Sequence, residues 1–208
     1  KQLLEKNLQD LHFSELMMKL RKQNQDIFSI LYDSLNVSNL LRSVASDDNI
    51  LNIMSQLLGT KIEYLSSFNH MFRMDAPCDN RNSYGWHQDI TYNFSNIHGE
   101  NAVVIWLPLH DVSKRNGALK IKSSSHHNGV CEVKNNIVGT HSKQLIIDES
   151  ICNGYDTVNV EAKFGDVIFM NNALIHASGE NLSDDFRYTI ISRAHNMMSE
   201  DFLPGKID

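Results

Sequence analysis

A chain of 208 residues, 41% hydrophobic and 21% charged, has the composition of an ordinary folded globular protein and a length suited to one domain that buries about 70% of its unfolded surface. The formal net charge of −6 argues against nucleic acid or an anionic membrane surface as main partner, and weighs against a highly anionic substrate such as a coenzyme A thioester. Apolar runs fall far short of a membrane span, the first residues lack a secretory core, and Cys78, Cys131 and Cys152 show neither metal-ligand spacing nor a disulfide framework, so a small-molecule substrate and a cytoplasmic location are expected.

Residues 1–58 read as helical. Leu11, Leu16 and Leu20, then Ile27, Ile30, Leu31 and Leu35, recur mostly at three- and four-residue spacings with charges between them, the period of an amphipathic helix. Gly59, after Leu57 and Leu58, supplies a helix stop. From residue 61 the texture changes to strands, expected over 62–72, 102–112, 119–122, 158–162, 166–170 and 187–194. Turn signals lie between them at Asn80-Arg81-Asn82, Asn116-Gly117 and Asn153-Gly154. No repeat, low-complexity run or linker divides the chain. The expectation is one α+β domain over 1–208: a helical layer over 1–58 packed on a β-core over 61–195, either a jelly roll or another β-sandwich.

The chemistry concentrates in Tyr84-Gly85-Trp86-His87-Gln88-Asp89. On an extended strand, His87 and Asp89 project to the same side and Gln88 to the other. Trp86 offers a large apolar surface suited to packing. A second imidazole, His176, arriving from a distant strand completes a two-His, one-carboxylate face. Such a face leaves half the coordination sphere of an iron(II) ion open for a chelating co-substrate and dioxygen. Arg187, eleven residues after His176, supplies a fixed cation whose planar fork fits a carboxylate. Each residue also has a plainer reading. With 10 histidines in the chain, His-X-Asp is expected roughly once by chance, as a solvent-facing pair; His176 could be a satisfied core histidine; Arg187 could pair on the surface with Asp184 or Asp185.

The order of features decides between these readings. After the Trp-His-Gln-Asp run come an apolar strand from Val103 to Leu109, the turn Asn116-Gly117-Ala118-Leu119, and a serine-rich loop ending in His126. Phe164-Gly165-Asp166 then leads a strand, and His176-Ala177-Ser178-Gly179 and Arg187 follow. From about residue 84 to 193 this resembles the phytanoyl-CoA dioxygenase family of iron(II)/2-oxoglutarate oxygenases. The resemblance implies a double-stranded β-helix (a cupin-like jelly roll) with His87, Asp89 and His176 as iron ligands. It implies that Arg187 and Ser178 hold the C5 carboxylate of 2-oxoglutarate and that Trp106 lines its pocket. At the C1 end it points to Asn69, with Met71 and Arg73 not ranked against it.

The activity implied is a dioxygenase that consumes O2 and 2-oxoglutarate, releases succinate and CO2, and hydroxylates an unactivated C–H bond. Retention of Asp89 favours hydroxylation, desaturation or ring closure over the halogenation seen in relatives that lack the carboxylate. Ser123-Ser124-Ser125-His126 stands where many relatives carry Pro-Gly-Ser-His, so an altered loop is expected there. His98, His126, His127 and His141 are expected in loops or at the surface. Segments 75–84 and 93–101, rich in Asn, Ser and charge, suggest a polar substrate. The competing readings are a metal-binding jelly roll without turnover and a non-oxidative cupin-like enzyme.

Overall fold

The computed structural model describes residues 13–79, 83–92, 102–138, 142–200 and 202. Helices α1 (Phe13–Gln23), α2 (Gln25–Asn36), α3 (Asn39–Ala45) and α4 (Asp48–Leu57) come first. Capping side chains divide the helical stretch into short pieces. Asn24 Oδ1 accepts from Ile27 N, Ser38 Oγ from Leu41 N and Asp47 Oδ1 from Asn49 N, each cap worth about 1 kcal/mol. Gly59 ends α4 as expected: it sits at φ 58° while Thr60 N reaches back to Ser55 O, a left-handed stop that costs glycine nothing. No helix among the described residues is long and apolar enough to cross a membrane.

The strands are β1 (Leu65–Asp75), β2 (Ala102–Pro108), β3 (Leu119–Lys122), β4 (Val133–Val138), β5 (Ser142–Ile147), β6 (Thr157–Val160), β7 (Ile168–Asn171), β8 (His176–Ala177) and β9 (Arg187–Asn196), with a short helix α5 (Glu149–Cys152) between β5 and β6. They form an antiparallel sheet of order β1-β9-β2-β7, a smaller one of order β6-β3-β8, and a β4-β5 hairpin. The α+β class and the jelly-roll core are as expected.

Strand β2 explains the layering. Val103 and Ile105 pack outward with Ile50 and Met54 of α4, while Val104 and Trp106 pack inward with Leu119, Met170, Leu174 and Ile191. Both faces of β2 are covered, so its sequence is a continuous apolar run rather than an alternation. Burial of each such side chain contributes about 1.5–3 kcal/mol. Further along, Met17 and Phe28 bury against Met74, Ala76 and Phe186, and Asn36 Oδ1 accepts from Phe72 N, which fastens the helical layer to β1.

Several boundaries differ from expectation. Ile62–Tyr64 is a 3-10 turn, so β1 starts at Leu65 and runs on to Asp75. Strand β2 stops at Pro108, which has no N–H to continue a ladder. The β4-β5 hairpin and α5 were not expected: Lys134, Asn135, Asn136 and Gln144 give this ribbon a polar texture with little strand signal. The turn at Asn80-Arg81-Asn82, the segment 93–101, and His98 and His141 lie outside the described residues.

Candidate metal centre

The two imidazoles meet through backbone pairing. His87 and His176 form an antiparallel bridge, each donating its N–H to the other's carbonyl at 2.9 Å, and their ring centroids lie 4.2 Å apart. Asp89 departs from the strand geometry expected of it. It opens a 3-10 turn (Asp89–Tyr92) just past the bridge, and the turn brings Oδ1 to 3.7 Å from His87 Nε2 and 3.8 Å from His176 Nε2. All three side chains are buried, with ligand atoms within 4.8 Å of one another.

Hydrogen bonds on the far side of each ring decide which nitrogen faces the centre. His87 Nδ1 contacts Gly85 O at 2.8 Å and His176 Nδ1 contacts Leu174 O at 2.9 Å. A carbonyl only accepts, so both Nδ1 atoms carry the proton and both Nε2 atoms point inward as ligand atoms. Burial, and then His176 beside it, push His87 down to about 3 despite the opposing pull of Asp89, so this ring is neutral at ordinary pH. Burial would raise the Asp89 carboxyl, but Arg193 and the two imidazoles outweigh it and hold the group well below the usual carboxylate range. Three electron-rich atoms therefore converge, an arrangement that fits a bound cation. The donor set, two neutral imidazoles and one carboxylate, suits iron(II).

Arg193 fixes the carboxylate. Its Nε and Nη2 lie 2.9 and 2.8 Å from Asp89 Oδ2, leaving Oδ1 to the centre. Arg193 Nη1 also reaches Asn69 O at 3.4 Å. Asn69 sits at φ 54° in a bulge where the β1–β9 register shifts, a conformation asparagine tolerates and a feature common beside functional sites. Gln88 faces away from the ligands, as expected. It is fully buried, donates to Gly129 O and Ala173 O, and accepts from Cys131 N. Ser125, in the altered serine loop, accepts from Ile175 N at 2.9 Å and so steadies the residue before His176. Trp86 packs, as expected, against Ile147, Cys152 and Ile175, with Lys122 Nζ 4.7 Å from its ring centroid.

A cavity of about 270 Å³ opens over this centre, and every residue nominated from the sequence lines it: the three candidate ligands with Arg187, Ser178, Trp106 and Asn69. Ser178 Oγ accepts from Tyr84 N at 3.1 Å, and Trp106 is both cavity wall and core. Arg187 is 3% exposed and does not pair with Asp184 or Asp185. Its Nε and Nη2 reach Asp75 Oδ2 at 3.1 and 2.5 Å, and Nη1 donates to Gly117 O and Gly179 O. Asp184 instead lies 3.8 Å from Arg115 on the surface. Gly117 is obligatory here: at φ 89°, a Cβ would stand 2.6 Å from Arg187 Nη1.

Sequence reasoning missed the roles of Asp75, Tyr84, Tyr92 and Arg193. Tyr84 and Tyr92 flank His87, with ring centroids 5.3 and 5.9 Å from its imidazole. Arg193 was recoverable, since positions 187, 189, 191 and 193 share one face of β9.

A jelly roll carrying an inward-facing His-Asp-His set at one end of a cavity defines a class of mononuclear metalloprotein folds. The family model described as Phytanoyl-CoA dioxygenase (PhyH) matches residues 18–189, and the chain belongs to that family. Phytanoyl-CoA dioxygenase 1 of Oryza sativa subsp. japonica is 30% identical over 114 residues, which cover 50% of this chain and 36% of the rice protein; the match thus spans about a third of that relative. Among solved structures, the apo form of the non-heme monooxygenase ThoJ superposes with a TM-score of 0.63 at 20% identity, covering 88% of this chain and 68% of that one. EvdO2 from Micromonospora carbonacea var. aurantiaca, complexed with 2-oxoglutarate, gives 0.60 at 18%, covering 79% and 67%. The epimerase SnoN, in complex with Fe3+, alpha ketoglutarate and nogalamycin RO, gives 0.59 at 19%, covering 85% and 70%. At these identities the likeness speaks to the fold.

Proposed function

We propose that the protein is an iron(II)- and 2-oxoglutarate-dependent dioxygenase that hydroxylates an unactivated C–H bond of a small polar metabolite. The observation that carries this reading is the polarity of the cavity. His87 Nε2, His176 Nε2 and Asp89 Oδ1 converge at one end and the Arg187 guanidinium lines the same space. That is the complement of a metal ion chelated by a 2-oxo acid with a second, distal carboxylate. Membership of the phytanoyl-CoA dioxygenase family supports it, as do 2-oxoglutarate and Fe3+ in complexes of proteins with the same fold.

When bound, iron and 2-oxoglutarate would supply the activation of dioxygen, coupled to release of succinate and CO2. The chain's own residues do the rest. The carbonyls of Gly85 and Leu174 hold both imidazoles in the ligand tautomer, and Arg193 keeps Asp89 ionised and single-pronged. Arg187 and Ser178 take the distal carboxylate. The apolar wall of Val104, Trp106, Met170 and Ile191 excludes water and raises the strength of every charge contact inside. The composition of the 75–84 segment, rich in Asn, Ser and charge, supports a polar substrate; its residues 80–82 and its companion, 93–101, lie outside the described residues. A bare metal site needs neither Arg187 nor Ser178 beside it, which favours a co-substrate anchor over a metal-binding protein without turnover.

The test is succinate formation by anaerobically reconstituted protein on admission of oxygen. Release should require iron(II), 2-oxoglutarate and oxygen together, rise with a suitable polar substrate, and vanish in a His87→Ala, His176→Ala double variant that no longer holds iron. Wild-type protein that holds one iron per chain yet forms no succinate with any of a panel of polar metabolites contradicts the proposal.

A further inference from the structure

Arg187 does not stand alone at its end of the cavity. The β1–β9 register sets Asp75 opposite Arg187 and Arg73 opposite Thr189, so all four side chains share one face of the sheet. Asp75 divides its carboxylate between two guanidiniums: Oδ2 takes Nε and Nη2 of Arg187, and Oδ1 takes Nη2 of Arg73 at 2.9 Å. Arg73, Asp75 and Arg187 are all buried, and both arginines line the cavity that holds the His-Asp-His set.

A count of donors shows why one arginine does not suffice. A guanidinium has five N–H groups. In Arg187 the Nε–H and one Nη2–H go to Asp75, and Nη1 serves the carbonyls of Gly117 and Gly179. One Nη2–H remains for an incoming ligand, whereas a planar carboxylate is best held by two donors.

We infer that Arg73 is a second binding residue for the distal carboxylate of the 2-oxo acid, sharing it with Arg187, and that Asp75 is the positioning residue that holds both guanidiniums to the task. This rests on the reading of the cavity as a 2-oxo acid site. It gives the Arg73-X-Asp75 pair on β1 a role separate from the C1 end, where Arg193 already serves Asp89.

The test compares two probes on anaerobic iron(II)-loaded protein by calorimetry: 2-oxoglutarate, and 2-oxopentanoate, which keeps the chelating end and the chain length but lacks the distal carboxylate. Wild type should prefer 2-oxoglutarate. Arg73→Gln should lose roughly tenfold to a hundredfold of 2-oxoglutarate affinity and change 2-oxopentanoate binding by less than about twofold. Arg73→Lys, which keeps the charge without the planar fork, should fall between, and it serves as the test if the glutamine variant does not fold. Unchanged 2-oxoglutarate affinity in both variants, or equal losses for the two probes, overturns the inference alone. Iron-loaded wild type that binds neither probe overturns the co-substrate reading and this inference with it.

Discussion

The two ends of the cavity are both buried and both charged, yet they are built on opposite plans. At the His87 end, acceptors converge: two imidazole nitrogens and one carboxylate oxygen face one another, while their protons and counter-charges (the Nδ1–H groups and Arg193) sit behind them. At the Arg187 end, donors converge: two guanidiniums share the single carboxylate of Asp75. The first arrangement suits a cation and the second an anion. A ligand that chelates a metal with one end and carries a carboxylate at the other satisfies both at once. The ends also differ in their supports. The acceptor end is steadied by backbone carbonyls on local turns, two residues from each histidine. The donor end depends on pairing between strands far apart in sequence, and on a glycine, Gly117, that leaves room for the guanidinium.

Breaking the donor end should have the largest consequence for co-substrate binding. Arg187→Ala removes one partner of a buried charge pair, a change that typically costs about 2–5 kcal/mol, or about thirtyfold to several thousandfold in 2-oxoglutarate affinity. Iron stoichiometry should stay at one per chain, since no metal-ligand contact is touched. Titration of 2-oxoglutarate against iron(II)-loaded variant checks this; an unchanged affinity would place the carboxylate anchor elsewhere.

Breaking the acceptor end from behind should give a smaller and opposite pattern. Arg193→Gln leaves all three candidate ligands in place but frees Asp89 Oδ2 from its charged partner. Loss of such an outer support typically lowers metal affinity about 10–100-fold. Competition against a fluorescent chelator would measure it, and the distal carboxylate should still be recognised once iron is saturating. Equal iron affinity in wild type and variant would show that Arg193 serves only the bulge at Asn69.

How far the two ends were legible in the sequence follows from the same contrast. His87, Asp89, His176 and Arg187 could be named because their spacing and order carry the chemistry. Even so, the extended strand assumed for Asp89 is a 3-10 turn, and the carboxylate reaches the centre by that turn rather than by strand alternation. The apolar strands and the Gly59 stop were legible from periodicity. Asp75 was not, and Arg73 was named only as an unranked neighbour of Asn69 at the C1 end, because the role of this pair depends on a register between β1 and β9 that joins residues 112 apart in the chain, and no local pattern encodes it. The β4-β5 hairpin escaped because its polar residues lack strand texture, although Gln144 Nε2 bonds Ser83 O and its Oε1 takes Gly85 N, tying the hairpin to the residues that lead into the metal motif.

The smallest expected effect is a pH dependence that separates the ends. His87 has a folded value near 3 against 6.5 for the free group, so in metal-free protein the unfolded chain takes up a proton that the folded one refuses. The stability this represents is present in full above pH 6.5 and declines as the pH falls toward 3. At the other end, burial would raise Asp75, but Arg73 and Arg187 outweigh it and lower the carboxyl. Its contribution is therefore lost only on falling below the ordinary carboxylate range. Denaturation midpoints of metal-free protein should drop between pH 7 and 5, and the drop should be shallower in His87→Gln. The same slope in both proteins would assign the effect to other histidines, such as His70 or His126, whose values burial also lowers.

The most direct test of the two-ended cavity is a crystal structure of the protein prepared anaerobically with iron(II) and 2-oxoglutarate. The account predicts one iron bonded to His87 Nε2, His176 Nε2 and Asp89 Oδ1, with the 2-oxo acid chelating it and the distal carboxylate in contact with both Arg187 and Arg73. Iron held by other residues, or a 2-oxoglutarate whose distal carboxylate lies away from Arg187, would contradict it.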